Sequence, residues 1–375
     1  MRVYRSNRME TLSEALAEVL KQPCASANAL EAVTRPEVVV VHSQGMARWL
    51  EMELARHLKI SSNIEFPFPK STIRDAMTAV LDDDRDAWKA WQPEVLLWST
   101  LEALEGLLDT PPFEALAAYL QGRTGGDATA ALGTADGVLL ARQIADVFDR
   151  YVTYRPDLIL SWATPQPSDD WQAVLWRAVS GRITTHHLAQ KGIALEQQLA
   201  QRLPGDTGRP AGLFPRLCLF GISTMPPFFL DLFQKLDRVC DVHLFVLCPS
   251  NVYWAHIRSK REIAKALRRD ERAGKDTSIE ALHLEEGNPL LASFGRMGRD
   301  FQVVLEGGEA GGGYQDVEVF TDPAEASTKM LHILQSDILN LRHRGSGESE
   351  HRPDKLEIDD SGAPDTSVQV HACYG

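Results

Sequence analysis

A few short runs in this sequence carry residue types that could do chemistry. Ser6-Asn7-Arg8 and His42-Ser43-Gln44-Gly45 each stand between an apolar run and a helical pattern, the place where a nucleotide-binding protein builds its phosphate cradle. Such a cradle requires Gly-rich backbone and a lysine, and Ser6-Asn7-Arg8 supplies neither. Asp82-Asp83-Asp84 with Asp86 could hold a metal ion, but the same run serves as the solvated start of a helix. His186-His187 has no third ligand nearby in sequence and reads as a surface or DNA-facing pair. Asp354-Lys355-Leu356-Glu357 has the composition of a nuclease carboxylate-lysine set, yet it lies in a polar, turn-rich stretch that favours an exposed loop. The five cysteines, Cys24, Cys218, Cys240, Cys248 and Cys373, show neither CxxC nor Cys/His ligand spacing. That argues against a zinc site and for a reducing compartment.

The first two runs gain meaning from the elements that must position them. Arg2-Val3-Tyr4 is a strand candidate, and Met9, Leu12, Leu16 and Val19 recur after it at helical spacing. Val38, Val39, Val40 and Val41 form a β-branched run suited to a strand buried on both faces, as in a parallel sheet. Met46, Trp49, Leu50, Leu54 and Leu58 then give a helix one apolar face, which makes Trp49 a core residue rather than a base-stacking one. Asn63 to Pro69 is a second extended piece that its two later prolines keep out of any helix. Two strand-loop-helix units in succession imply a doubly wound α/β sheet with helices on both faces, whose ligand loops lie at the carboxyl ends of the strands.

From about Asp82 the pattern turns helical, and strands return only at Arg216 to Phe220, Asp241 to Leu247 and Val317 to Phe320, with a helix expected from Ala324 to Leu341. The expected division is an α/β domain made of residues 1–81 and 204–343, a helical insertion of residues 82–203, and residues 344–375 as a polar linker. A strand beginning at Val368 would open a second domain, so the sequence reads as a truncated piece of a longer one. The formal charge of −13 argues against a surface that coats duplex DNA or an anionic membrane, while leaving room for a local basic channel. No apolar run reaches membrane-spanning length and nothing near Met1 resembles a signal peptide, so a cytoplasmic location and no membrane contact are expected.

The order of strands, helical insertion and returning strands is that of the first motor domain of a superfamily 1 helicase. Within it, several strings resemble the RecC family, the gamma subunit of the bacterial RecBCD helicase-nuclease (exodeoxyribonuclease V). They are Arg2-Val3-Tyr4-Arg5-Ser6-Asn7-Arg8, His42 to Leu50, Asn63-Ile64-Glu65-Phe66-Pro67, Phe148-Asp149-Arg150-Tyr151, Tyr154-Arg155-Pro156-Asp157, Gly221-Ile222-Ser223 and Gly287 to Ser293. The resemblance implies an inactive helicase-like fold with no ATPase or nuclease activity of its own and no cofactor. Ser6-Asn7-Arg8 stands where a phosphate loop would be, and Gly221-Ile222-Ser223 stands where a metal-holding Asp-Glu would be.

The resemblance further implies a role in DNA repair and recombination, with RecB-like and RecD-like subunits, single-stranded DNA and a duplex fork as partners. Unwound strand would pass through a channel that is scanned for a Chi-type signal. Residue by residue, the family's strand-reading positions fall on His42, Gln44, Arg48, Phe68, Arg74, Asp146, Val147, Asp149 and Arg155. Asp146, Asp149 and Arg155 match the family type; the other six differ from its best-known member, most of all Arg74, where an aromatic is expected. The chemistry suits unstacked bases, because amide, imidazole and carboxylate groups read base edges, Phe68 offers a stacking face and arginines hold phosphates. Blander readings stand beside these: Arg142 and Asp146, at i and i+4, form a solvated ion pair, and Phe68 plugs a loop between its two prolines. Two other functions remain open at this stage, an ATP-dependent helicase domain and a scaffold that docks motor subunits without touching DNA.

Overall fold

The chain begins with strand β1 (Arg2–Ser6), followed by α1 (Met9–Lys21), β2 (Glu37–Val40), α2 (Gln44–Leu58), β3 (Ile64–Glu65) and α3 (Pro69–Leu81). Seven helices then follow with no strand between them among the described residues: α4 (Pro93–Leu107), α5 (Glu114–Thr124), α6 (Ala128–Leu132), α7 (Ala135–Tyr154), α8 (Pro156–Trp162), α9 (Trp171–Ser180) and α10 (Leu188–Ala200). Strands resume with β4 (Arg216–Phe220), α11 (Pro227–Leu236), β5 (Asp241–Leu247), α12 (Lys260–Arg272), α13 (Pro289–Phe294) and α14 (Arg296–Glu306). The last elements are β6 (Gln315–Glu318), α15 (Pro323–Ala326) and α16 (Met330–Leu339). This computed structural model describes residues 1–24, 34–164, 169–201, 208–272, 287–307, 314–342, 365–369 and 371–372. The Asp354 to Glu357 run, Cys373, most of the Gly307 to Gly313 turn and most of the turn-rich stretch near Pro204 lie outside the described residues.

All six strands join one parallel sheet in the order β3-β2-β4-β5-β1-β6. β1 pairs in parallel with β5 and β6, and β2 with β3 and β4. Because the strands run the same way, their following loops all leave from the carboxyl edge of the sheet. The chain gathers into two compact units, one of residues 1–68, 216–225 and 242–375, the other of residues 69–215 and 226–241.

In the sheet unit, α1 brings Leu12 and Leu16 and α2 brings Leu50 and Leu54 onto Val39, Val41, Cys218, Phe220 and Phe245. Val38 and Val40, whose side chains alternate to the other face, are buried too, so β2 is covered on both sides as its β-branched run requires. Arg216, at the start of β4, is buried and ties three elements together. Its guanidinium donates to the Val19 and Gln22 carbonyls at the end of α1, at 2.7 and 3.0 Å, and to the Glu37 carboxylate at the start of β2, at 2.5 and 3.2 Å.

Two expectations for the end of the chain are corrected. The helix from Ala324 to Leu341 is divided, because Ser327 adopts an extended backbone (φ −167°, ψ 142°) between α15 and α16. The described residues from 365 to 372 form no strand. Asp365 and Ser367 fasten the start of α16 instead: Met330 N–H donates to Asp365 Oδ2 at 2.7 Å and Leu331 N–H to Ser367 Oγ at 3.2 Å. The residue at the helix's own N-cap, Lys329, makes no such side-chain bond, so the orphan amides find a partner thirty-odd residues away in sequence. The two backbone N–H groups and the Ser367 bond hold the Asp365 carboxyl down to about 2.

The helical unit has an aromatic centre. Trp91 and Trp176 each lie 5.3 Å from the His187 ring, and Phe148 packs edge-on against Trp176 at 5.2 Å. His187 is thus not a surface residue: it is 1% exposed and caps α10, its Nδ1 accepting from Gln190 N–H while the Gln190 side chain accepts from its backbone N–H. The Asp82 to Asp86 run is likewise structural. Asp84 caps a short 3₁₀ turn, Asp86 pairs with Lys89 at 2.8 Å, and Asp83 pairs with Lys191, a buried lysine whose Nζ also lies 4.2 Å from the Trp88 ring centre.

Candidate nucleic-acid interface

At the carboxyl edge of the sheet unit, each loop shows what it is free to do. The loop after β1 is already occupied. Asn7 donates its amide to the Thr321 carbonyl at 2.8 Å and accepts from Thr321 N–H at 3.2 Å. Ser6 Oγ accepts from Arg8 N–H at 3.2 Å, and Arg8 faces Glu10 at 3.7 Å. A phosphate cradle needs these backbone and side-chain donors turned outward, and here they close on the protein itself.

The loop after β4 is closed in a different way. Gly221 has φ +64°, and a Cβ there would lie 3.1 Å from Met9 Cε and 3.3 Å from Met46 Cε, so both the backbone and the space call for glycine. Ile222, the next residue, is fully buried. Of the three residues where a motor would present a metal-holding carboxylate, Gly221 packs against Met9 and Met46, Ile222 is buried, and Ser223 is exposed but carries no carboxylate.

The loops after β2 and β3 behave otherwise. Val41 N–H donates to the Pro67 carbonyl at 3.1 Å, one step beyond the β2–β3 register, so the two loops leave the sheet side by side. Ser43 starts α2 by accepting from Met46 N–H at 3.1 Å. His42, Gln44 and Arg48 are exposed, and Phe68 keeps 42% of its surface in solvent. Arg48 has no ion-pair partner among the described residues, the state of a cation available to an external phosphate. Partial burial pushes the His42 imidazole below its ordinary range against the opposing pull of a backbone contact at Thr224. At neutral pH it is therefore an uncharged donor and acceptor. Trp49 belongs to the core, packed against the hydrophobic cluster with its ring 6.2 Å from Phe220.

The remaining sequence-predicted residues lie in the helical unit. Asp149, on α7, is held by Lys70 at the start of α3 through both carboxylate oxygens, at 2.7 and 2.8 Å. Arg74, one turn along α3 from Lys70, is half-buried beside Asp75 at 3.7 Å. Asp146 pairs with Arg142 at 3.5 Å, and Arg142 also reaches Glu94 at 3.1 Å. That solvated pairing is the bland reading of the Arg142 and Asp146 spacing, and it is what the structure shows. Val147 is half-buried, and Arg155, exposed at the junction of α7 and α8, carries no ion pair among the described residues. Sequence reasoning missed Lys70; the only signal for it was a basic residue directly after the Phe68-Pro69 loop.

The chain matches known proteins along its length. Residues 1–341 match the family model described as "RecC, N-terminal domain". Relatives called "RecBCD enzyme subunit RecC" include one from Escherichia coli K12, 32% identical and covering 100% of this chain and 34% of its own length. Another, from Mycolicibacterium smegmatis, is 29% identical over 100% of this chain and 30% of its own length. A third, from Haemophilus influenzae, is 27% identical over 99% of this chain and 35% of its own length. The chain thus spans about a third of the length of the curated relatives it matches.

Proposed function

The chain belongs to the RecC family, matching its N-terminal domain, and from that premise we propose that it is a non-catalytic part of a RecBCD-type helicase-nuclease that handles unwound single-stranded DNA. Its partners in this reading are RecB-like and RecD-like subunits and a DNA fork, and the process it serves is double-strand break repair by recombination. The observation that carries the reading is the contrast along one sheet edge. The loop a motor would use for nucleotide is spent on Thr321, and the loop it would use for metal buries Ile222 and exposes only Ser223 and Thr224, neither a carboxylate, whereas the β2 and β3 loops hold His42, Gln44, Arg48 and Phe68 in solvent. An uncharged imidazole and an amide read base edges, Phe68 stacks on a base, and Arg48 takes a phosphate.

In the helical unit the same role falls to Arg74, Asp146, Val147, Asp149 and Arg155. Asp149 reads a base through the oxygen lone pairs that Lys70 leaves open, and Arg155 holds phosphate. Scanning for a Chi-type signal is the finer form of this proposal. The six residues that differ from the best-known relative make the preferred sequence particular to this chain.

The test is anisotropy of a labelled single-stranded oligonucleotide over a salt series, beside an ATPase assay. Binding should weaken with salt, and Arg48→Ala or Arg155→Ala should each flatten the log–log slope by about 0.7, the share of one phosphate on a single strand. Salt-insensitive binding unaffected by either change would favour a scaffold that does not touch DNA. DNA-stimulated ATP hydrolysis by the chain would overturn the non-catalytic reading.

A further inference from the structure

At the carboxyl ends of β1 and β5 the sheet unit holds a cavity of about 500 Å³, within the range of small-ligand sites. One side is the loop after β1 together with Leu247 and Pro249 after β5; the other is α15 and α16. The α16 wall is fixed at both ends, by Asp365 and Ser367 at its start and by Ser250, whose hydroxyl donates to the Leu339 carbonyl at 2.9 Å, at its finish. The space is a built feature of the fold.

Its lining excludes several ligand classes. Among the described residues no lysine lines it, Arg8 is the single arginine that does and it faces Glu10, and the Asn7 amide is committed to Thr321, so these side chains offer a polyphosphate little counter-charge. No group of three metal-ligating side chains occurs among the described residues. What it does present is apolar surface from Leu247, Pro249, Leu331 and Ile338, with two uncommitted hydrogen-bonding side chains, His332 and Gln335, one turn apart on α16. His332 Nδ1 is buried without a partner, so no neighbour fixes its tautomer and the ring can donate or accept. Gln335 offers an amide that does both. Apolar walls with side chains that can both donate and accept are the complement of a heterocyclic base.

We propose that this cavity accepts a single nucleobase, read by His332 and Gln335, with its phosphates left outside. The inference rests on the strand-handling reading above. It deepens that reading by giving the carboxyl edge a pocket for one base beside loops that hold the backbone. The base can come from an unstacked position of bound DNA or from a free nucleoside, and the chemistry is the same.

The experiment uses the chain and its His332→Ala and Gln335→Ala variants. Single strands carrying 2-aminopurine at successive positions report base insertion, free deoxynucleosides are titrated separately, and a labelled strand reports overall binding by anisotropy. For a strand-borne base, 2-aminopurine emission changes on binding, and each variant weakens that response roughly tenfold, the effect of losing one base-edge contact. For a free base, deoxynucleosides bind with the same sensitivity to both variants and no emission change in the strand; the cavity assignment then holds whether or not the strand binds. Normal strand binding with no variant effect in either arm overturns the cavity assignment and leaves the proposed function standing. Failure of strand binding alone counts against the proposed function, and failure of both arms overturns both.

Discussion

Acidification should weaken the helical unit through one residue, His187. Its ring is 1% exposed between two tryptophans, and its Nδ1 must stay unprotonated to accept the Gln190 N–H that starts α10. Burial, with the charge of His186 acting in the same direction, pushes its pKa down to about 4. An imidazole in the unfolded chain protonates near 6.5, so between those values the unfolded chain binds a proton that the native one refuses. Stability is therefore fully present above roughly pH 6.5 and falls as pH drops. At about 1.36 kcal/mol per unit, the loss approaches 3 kcal/mol by about pH 4. Urea unfolding followed by tryptophan fluorescence from pH 7.5 down to 4.5 measures it, because Trp91 and Trp176 both flank the ring. His187→Asn keeps a side-chain acceptor at the cap and removes the titration, so its profile should be flatter over that window. Parallel profiles for the two proteins, or an NMR titration placing the native imidazole near 6.5, would refute the argument.

Other consequences are as direct. Arg216→Met strips two carbonyls and the Glu37 carboxylate of their shared donor. Because Glu37 keeps 27% of its side chain in solvent and can rehydrate, the expected loss is at the low end for a broken buried pair, about 3 kcal/mol; denaturant titration of the variant, with Glu37→Gln and the double change closing a cycle, measures it. Phe68→Ala should weaken single-strand binding about tenfold with little effect on the melting temperature, since the ring is already 42% exposed; anisotropy and a thermal melt on the same sample decide. Asp365→Ala should speed hydrogen exchange at the Met330 amide and leave the amides of β5 unchanged, as read by exchange mass spectrometry.

The sheet was legible because its strands announce themselves locally. The β-branched run at Val38 to Val41 and the apolar runs ending at Phe220 and Leu247 each gave a strand within a residue or two of its observed bounds, and the Met9, Leu12, Leu16, Val19 spacing gave α1. What stayed hidden depends on partners far away in sequence. Nothing local marks Lys70 as the partner of Asp149, 79 residues on, or His187 as a core residue between Trp91 and Trp176. Lys191 reads as a solvated lysine until Asp83 and Trp88 are beside it. The Val368 segment shows the converse error: an apolar residue after a polar stretch suggested a strand, while Asp365 and Ser367 are helix-capping types that found a helix start thirty-odd residues earlier. Among the site residues, exposure of the β2 loop was predictable from its place after a buried strand. Which loop on that edge is free and which is tied down was not, because Asn7 and Thr321 meet only in the folded chain.

The fastening of α16 by Asp365 and Ser367 brings two points of the chain that are distant in sequence to a single helix. Arg342, just before the intervening stretch, is held by the Asp337 carbonyl at 2.8 Å and by Asn288 at 3.0 Å, and Asp365, just after it, is held at Met330. Both posts belong to one ten-residue helix and its end, about 15 Å of rise. Because Arg342 and Asp365 are each bonded to this helix or its flank, α16 is secured separately at its start and at its end, and the wall it gives the cavity is held from both sides.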